Sequence, residues 1–259
     1  MRPIPGIVAI NTFREAVRDR VLYNLIVFAL MMMGAAILVG EISIGIDRLV
    51  IINLGLSAIS IFGLVMAIFI GVGLVYKEME KRTLYSLLAK PVRRWEFLVG
   101  KFGGLVLTLA VNTLFMTLGL AAALFYVSRQ FLSTDATILV AIYFILLELA
   151  LVTAFALFFS CFSSPMLSTL FTLGIYVAGF FSADIRGIGT VTRSPAMKAT
   201  ARVISYLLPN FRNFNVISAA SHGDAIPFSL IWQNTAYAAL YVALVLIAAS
   251  AIFSGRNLK

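Results

Sequence analysis

Two uninterrupted apolar runs, "LYNLIVFALMMMGAAILVG" at 22–40 and "LVIINLGLSAISIFGLVMAIFIGVGLV" at 49–75, restrict this chain more than any other feature. A hydrocarbon core about 30 Å thick needs about 20 apolar residues per helix. Backbone polar groups in lipid must be satisfied internally, so only helices and closed barrels cross it. The runs are continuous rather than alternating, which selects helices. Composition agrees: 61% of the 259 residues are hydrophobic, 12% are charged, and the mean hydropathy is +1.02. Soluble domains carry about twice that share of charge.

Six spans are read from the pattern: Leu22–Gly40, Leu49–Val75, Phe102–Val127, Ala136–Cys161, Met166–Ala183 and Leu230–Phe253. Only "FSSP", with Pro165 as the breaker, separates the fourth from the fifth, which predicts a tight helical hairpin. The fold class is an all-α membrane protein in a single transmembrane domain over 1–259. Orientation follows from the cations. The N-terminal segment, the 76–101 loop and the C-terminal tail hold 13 Lys and Arg against 7 on the other side, five of those in the long 184–229 segment. Both termini and the 76–101 loop are therefore expected in the cytoplasm, and 184–229 outside. The first 20 residues lack the apolar core of a cleavable leader.

Ahead of the first span, residues 5–21 place Ile7, Ile10, Phe13, Val17 and Val21 at three- or four-residue spacing. Asn11, Arg14, Glu15, Arg18 and Asp19 fall elsewhere on the wheel. This predicts an amphipathic helix in the interface plane; an ordinary cytoplasmic lead-in is the plainer reading. The net charge of +9 flanks spans, so the partners it suggests are lipid headgroups or acidic protein surfaces and not nucleic acid. In 184–229, "TRSPAMKATARVISYLLP" predicts a short helix ending before Pro209, and "PNFRNFN" is turn-rich.

Several chemistries lack their residues. The single Cys161 excludes an internal disulfide and a Cys-rich metal site, and no metal site is predicted. The lone His222 lies outside the spans, so no histidine-based intramembrane protease is encoded. "VGKF" at 99–102 resembles the end of a phosphate loop, but Trp95 stands where its first glycine belongs and Phe102 where Ser or Thr would hold magnesium. The chain itself has no nucleotide-binding motif. Glu148 is the one acid at mid-span, in "FILLELALV"; it reads either as a substrate or proton site or as hydrogen-bonded glue between helices. Asn53, Ser57 and Ser60 form a polar stripe in the second span, for a pathway or for packing.

The stretch "YKEMEKRTLYSLLAKPVRRWEFLVGK", 76–101, holds ten of the 31 charged side chains. Glu78 and Arg82 stand at i,i+4 and can pair. Tyr76, Met79, Leu84 and Leu87 share one side, with Glu78, Lys81 and Arg82 opposite. Pro91 ends this helix, and a second begins near Arg93 and enters the third span. Positive-inside topology alone accounts for the cations, but not for the interleaved acids or the proline break. The pattern predicts a helix–turn–helix lever whose movement tilts two spans.

That run resembles the cytoplasmic signature of type 2 ABC-transporter permeases: an acid (Glu78, Glu80), a Thr-Leu pair (Thr83, Leu84), two leucines (Leu87, Leu88), a proline (Pro91), an arginine (Arg94), then Gly-Lys (Gly100, Lys101). The family often has glycine before the threonine, where Arg82 stands here. Six spans, a leading interfacial helix, the "SCFSSP" turn and a longer outer segment extend the likeness over most of the chain. "YLLPNFRNFN" resembles the branch containing copper-enzyme-maturation and gliding-motility permeases. The resemblance implies an exporter in a bacterial-type inner membrane, with two copies or paralogues of the permease above two separate ABC ATPase subunits. ATP and magnesium would bind the ATPases and not this chain. It also implies that Glu78, Glu80, Lys81, Arg82 and Thr83 dock on the ATPase, with a coupling helix shaped by Pro91, Arg93 and Arg94. Ser160, Ser163 and Ser164 would form a second contact, and the first, second and fifth spans the dimer interface or pathway. Phe180, Phe181, Phe211 and Phe214 are candidates for an outer gate, or for interfacial anchoring. An extracytoplasmic partner for 184–229 is a further expectation.

Overall fold

The computed structural model describes residues 4–18, 20–42, 46–80, 94–128, 135–191 and 194–255. Among them are ten α-helices, one 3-10 turn and no strand. In chain order the helices are α1 (Ile4–Val17), α2 (Arg20–Ile42), α3 (Asp47–Glu80), α4 (Arg94–Ser128), α5 (Ala136–Ser160), α6 (Pro165–Phe180), α7 (Ser182–Val191), α8 (Pro195–Leu207), α9 (Ile217–His222) and α10 (Phe228–Gly255). The 3-10 turn, Phe211–Phe214, lies between α8 and α9.

Among the described residues, four helices are long and apolar enough to cross a membrane: Asp47–Gly73, Trp95–Ser128, Ala136–Ser160 and Phe228–Phe253. Leu30–Gly40 and Pro165–Phe180 are shorter apolar helices at the positions of the expected first and fifth spans. The expected 166–183 span divides: α6 stops at Phe180, Phe181 leaves helical geometry, and α7 starts at Ser182.

Helix α5 is the centre of the bundle. Its sequence is apolar on every side, which is the composition of a helix surrounded by protein. Leu151 through Leu157 are all buried without interruption. It packs against α3, α4, α6 and α10. One hydrophobic core joins side chains of α3, α4, α5 and α10 with Phe211 and Phe214 of the 3-10 turn.

Small residues let the central helices approach closely. An added Cβ at Gly63 of α3 would lie 2.6 Å from Leu149, and one at Gly71 would lie 2.8 Å from the Ala156 methyl. Both contacts are to α5. Small-residue stripes of this kind set close crossings where lipid supplies no hydrophobic drive between helices.

The hairpin expected at "FSSP" is present. Cys161 continues the hydrogen-bonding of α5, Ser164 is extended, and Pro165 opens α6 at the position where its missing N–H costs nothing. The expected helix before Pro209 is α8, entered through extended Ser194 and Pro195 in the same way. Gly223, with φ 75°, closes α9 in the left-handed region that glycine tolerates.

Candidate coupling and translocation site

The charged stretch joins the two longest helices. α3 has 34 residues and α4 has 35, so each is about 50 Å long at 1.5 Å per residue. The apolar run of α3 ends at Val75, and the helix continues through Tyr76, Glu78 and Glu80. Glu78 and Glu80 therefore stand on a helical extension, within about 8 Å of the end of that apolar run by helical rise. Arg94 is the first residue of α4. Lys81, Arg82, Thr83, Pro91 and Arg93 lie outside the described residues, so the docking face and the proline break expected there are not described.

Helix α1 lies against the start of α4. An added Cβ at Gly100 would fall 2.7 Å from Val8 Cβ and 2.8 Å from the Pro5 carbonyl oxygen. One at Gly104 would fall 2.5 Å from the Ala9 carbonyl oxygen and 2.6 Å from Thr12 Cβ. Thr12 and Ala16 are buried. The face that α1 turns to the bundle is thus its small-residue face. Ile7 is 47% exposed and Ile10 is 42% exposed. Gly100 and Gly104, one turn apart, carried this signal as a small-xxx-small pair. Lys101 between them is buried, its Nζ 5.8 Å from the Phe97 ring centroid.

At mid-span, Glu148 on α5 is 6% exposed and shares a side-chain hydrogen bond with Tyr176 on α6, whose hydroxyl donates. The contact is important for α6 because this helix has only a narrow buried edge. Ser168, Thr172 and Gly179 are buried, whereas Met166, Leu167, Leu170, Phe171, Leu173 and Val177 are exposed. The polar stripe Asn53, Ser57 and Ser60 is half-buried along the side of α3. Ser160, at the end of α5, is buried and donates to the Ala156 carbonyl at 2.6 Å; Ser164 is exposed.

The four phenylalanines separate into two environments. Phe211 and Phe214 are buried. Phe211 meets Tyr176 with tilted rings at 5.1 Å between centroids and fills the space beside Gly179, while Phe214 meets Tyr237 at 6.2 Å. The turn carrying them is stitched to α10: the Asn210 N–H donates to the Tyr237 hydroxyl at 2.8 Å, and Asn234 Nδ2 donates to the Asn213 carbonyl at 3.2 Å. Phe180 and Phe181 contact each other edge to face at 5.7 Å, and Phe181 is exposed.

A polar pin that the sequence reading did not single out closes the same end of the bundle. Arg48, at the start of α3, pairs with Asp135 ahead of α5, and its other guanidinium nitrogen donates to Ser128, the last residue of α4, at 3.1 Å. The signal was there: opposite charges and a hydroxyl at three adjoining span ends.

The family model described as "ABC-2 family transporter protein" matches residues 7–258. No curated protein matches the chain.

Proposed function

We propose, from the premise that the chain belongs to the ABC-2 transporter family, that it is the transmembrane permease of an ATP-driven exporter whose energy comes from separate ATPase subunits. The observation that carries this reading is the unbroken continuation of α3 past its apolar part into the charged stretch, matched by α4 starting at Arg94. A push on the 76–101 loop by an ATPase reaches the core through two helices that meet α5 along their lengths.

On this reading the chain has six spans, because the 23 residues of α2 reach about 35 Å and α6 with its flanking turn completes the hairpin. Both termini and the loop face the cytoplasm of a bacterial-type inner membrane. Glu78, Glu80, Lys81, Arg82 and Thr83 form the docking face, and Pro91, Arg93 and Arg94 orient the coupling helix. A second permease copy or paralogue completes the pathway, and two ATPases bind ATP and magnesium. The buried Phe211 and Phe214, beside the exposed Phe181, suit an outer seal.

The test is association. Glu80→Lys combined with Arg82→Glu is expected to lower co-purification of the ATPase at least about tenfold, the scale for loss of charged interface pairs, while the permease still inserts. Unchanged association would remove the docking assignment.

A second reading is favoured by one observation: α8 packs chiefly on α7, away from the central core. ATPase closure would then move the outer segment against an extracytoplasmic partner, and nothing would cross the membrane. ATP turnover in vesicles with no translocated molecule supports that transmitter. A carrier independent of ATP, using Glu148, is the remaining alternative; gradient-driven uptake by this chain alone, lost in Glu148→Gln, is its signature.

A further inference from the structure

The surface of α1 is divided into strips of different chemistry. Val8, Ala9, Thr12 and Ala16 face the bundle. At about 100° per residue, the next strip around the helix is Phe13, Val17 and Ile10, apolar and partly or fully exposed. Arg14 follows, then Arg18 in the turn that ends the helix, and last Asn11 and Glu15; all four are exposed. Ile7, also exposed, falls on the arginine strip two turns before Arg14. Asn11, Arg14, Glu15 and Arg18 line a groove of about 370 Å³. Among the described residues, neither arginine nor Glu15 has a side-chain hydrogen bond or ion pair. The sequence of strips, apolar then cationic then polar, is the order of depth at a membrane surface. It puts Glu15 farthest from the lipid.

The helix that carries α1 fixes its depth independently. Ser128 ends α4 in the polar pin with Arg48 and Asp135, and an ion pair belongs at or beyond the edge of the hydrocarbon. About 20 residues back from Ser128, a rise of about 30 Å, is Thr108, at the opposite edge. Gly104 and Gly100, which hold α1, lie about 6 and 12 Å beyond Thr108. Ala16, between the two arginines, packs with Leu105 and Leu157, and Leu105 is about 5 Å beyond Thr108. Arg14 and Arg18 therefore stand in the headgroup layer, which is about 5–8 Å thick. We propose that Arg14 and Arg18 clamp the phosphate of an anionic phospholipid, with its acyl chains beside Phe13 and Val17. Two unpaired guanidinium forks one turn apart suit phosphate oxygens, and the apolar strip beside them suits a lipid rather than a free anion. The proposal rests on the reading above only for which leaflet this is.

The experiment places a reporter beside the clamp. Trp95→Phe and Trp232→Phe remove the chain's two tryptophans, and Val17→Trp supplies the only indole. The full chain is reconstituted in phosphatidylcholine vesicles with brominated phosphatidylglycerol in both leaflets, so inverted orientation cannot cause a failure. Quenching is expected to reach half its maximum at about tenfold lower mole fraction than with brominated phosphatidylcholine, the scale for cations at a lipid surface. Arg14→Gln with Arg18→Gln should equalise the two lipids, and Arg14→Lys with Arg18→Lys should keep most of the preference. Inorganic phosphate added at constant ionic strength should leave quenching unchanged. Equal quenching by the two lipids with both arginines present overturns the proposal. So does a preference that survives the double glutamine variant, since other cations then attract the lipid. Displacement by inorganic phosphate would make this a free-anion site, and absence of quenching by either lipid would turn this face to protein; each overturns the proposal. None of these outcomes depends on ATPase binding, so the permease reading stands or falls separately.

Discussion

Gly104 is the residue at which the contact between α1 and α4 is tightest: a side chain there meets the Ala9 carbonyl oxygen at 2.5 Å, and backbone cannot rotate out of the way. Gly104→Val is expected to cost about 1–3 kcal/mol, the usual range for overpacking, and to separate the helices. Thermal unfolding in detergent measures the first effect. Loss of an engineered disulfide between the two helices measures the second. Gly73→Ala is the control: nothing lies within 4 Å of its Cβ position, so no loss is expected, only a gain of up to about 1 kcal/mol from helix propensity. Tyr176→Phe removes the hydroxyl that Glu148 receives. The expected loss is about 1 kcal/mol, typical of hydrogen bonds between membrane helices, read by unfolding in mixed micelles. If Glu148 serves only as glue, Glu148→Gln retains transport. At this scale the sequence made Glu148 visible because a mid-span acid is rare, but not its partner. Tyr176 looked like one apolar-face residue among many until α5 and α6 were brought together.

Among the elements, α3 and α4 are the ones whose length has mechanical meaning. A helix transmits displacement only while its hydrogen-bond ladder is continuous. Three glycines inserted between Gly73 and Tyr76 are expected to leave ATPase association intact and to uncouple it. Transport per ATP should fall at least about tenfold, since each glycine weakens the helix by about 1 kcal/mol. Paired transport and ATP-turnover assays in vesicles check this; unchanged coupling would show that motion travels by another route. For α1 the period predicted an amphipathic helix, and α1 is a helix whose packed face the period did not name. Ile7 and Ile10 stay exposed, and the bundle takes Pro5, Val8, Ala9, Thr12 and Ala16. Lipid contact does not penalise exposed isoleucine, so size, not hydrophobicity, decides which face meets α4.

For the whole molecule, the proposed topology makes a labelling prediction. In a Cys161→Ala background, Lys198→Cys on exposed α8 should react with an impermeant maleimide in intact cells, and Lys259→Cys only after permeabilisation. The reverse pattern would invert the assignment of the charged loop to the cytoplasm. The Arg48–Asp135 pin and the turn bearing Phe211 and Phe214 hold the bundle end opposite that loop. In the proposed function, the charged stretch would act at one end of the bundle and the braced turn at the other.

By itself the sequence determined a helical membrane protein, the hairpin at Pro165, the family, and the position of the charged stretch between α3 and α4. These follow from local quantities: hydropathy, cation count, a proline at a helix start, and a motif contiguous in the chain. The tertiary structure decided that α5 is the centre, that Tyr176 answers Glu148, that Arg48 answers Asp135, and that glycines clamp α1 to α4. In a chain this apolar nearly every helical face is hydrophobic enough to be buried. Periodicity therefore cannot rank the faces, and steric fit between helices distant in sequence makes the choice.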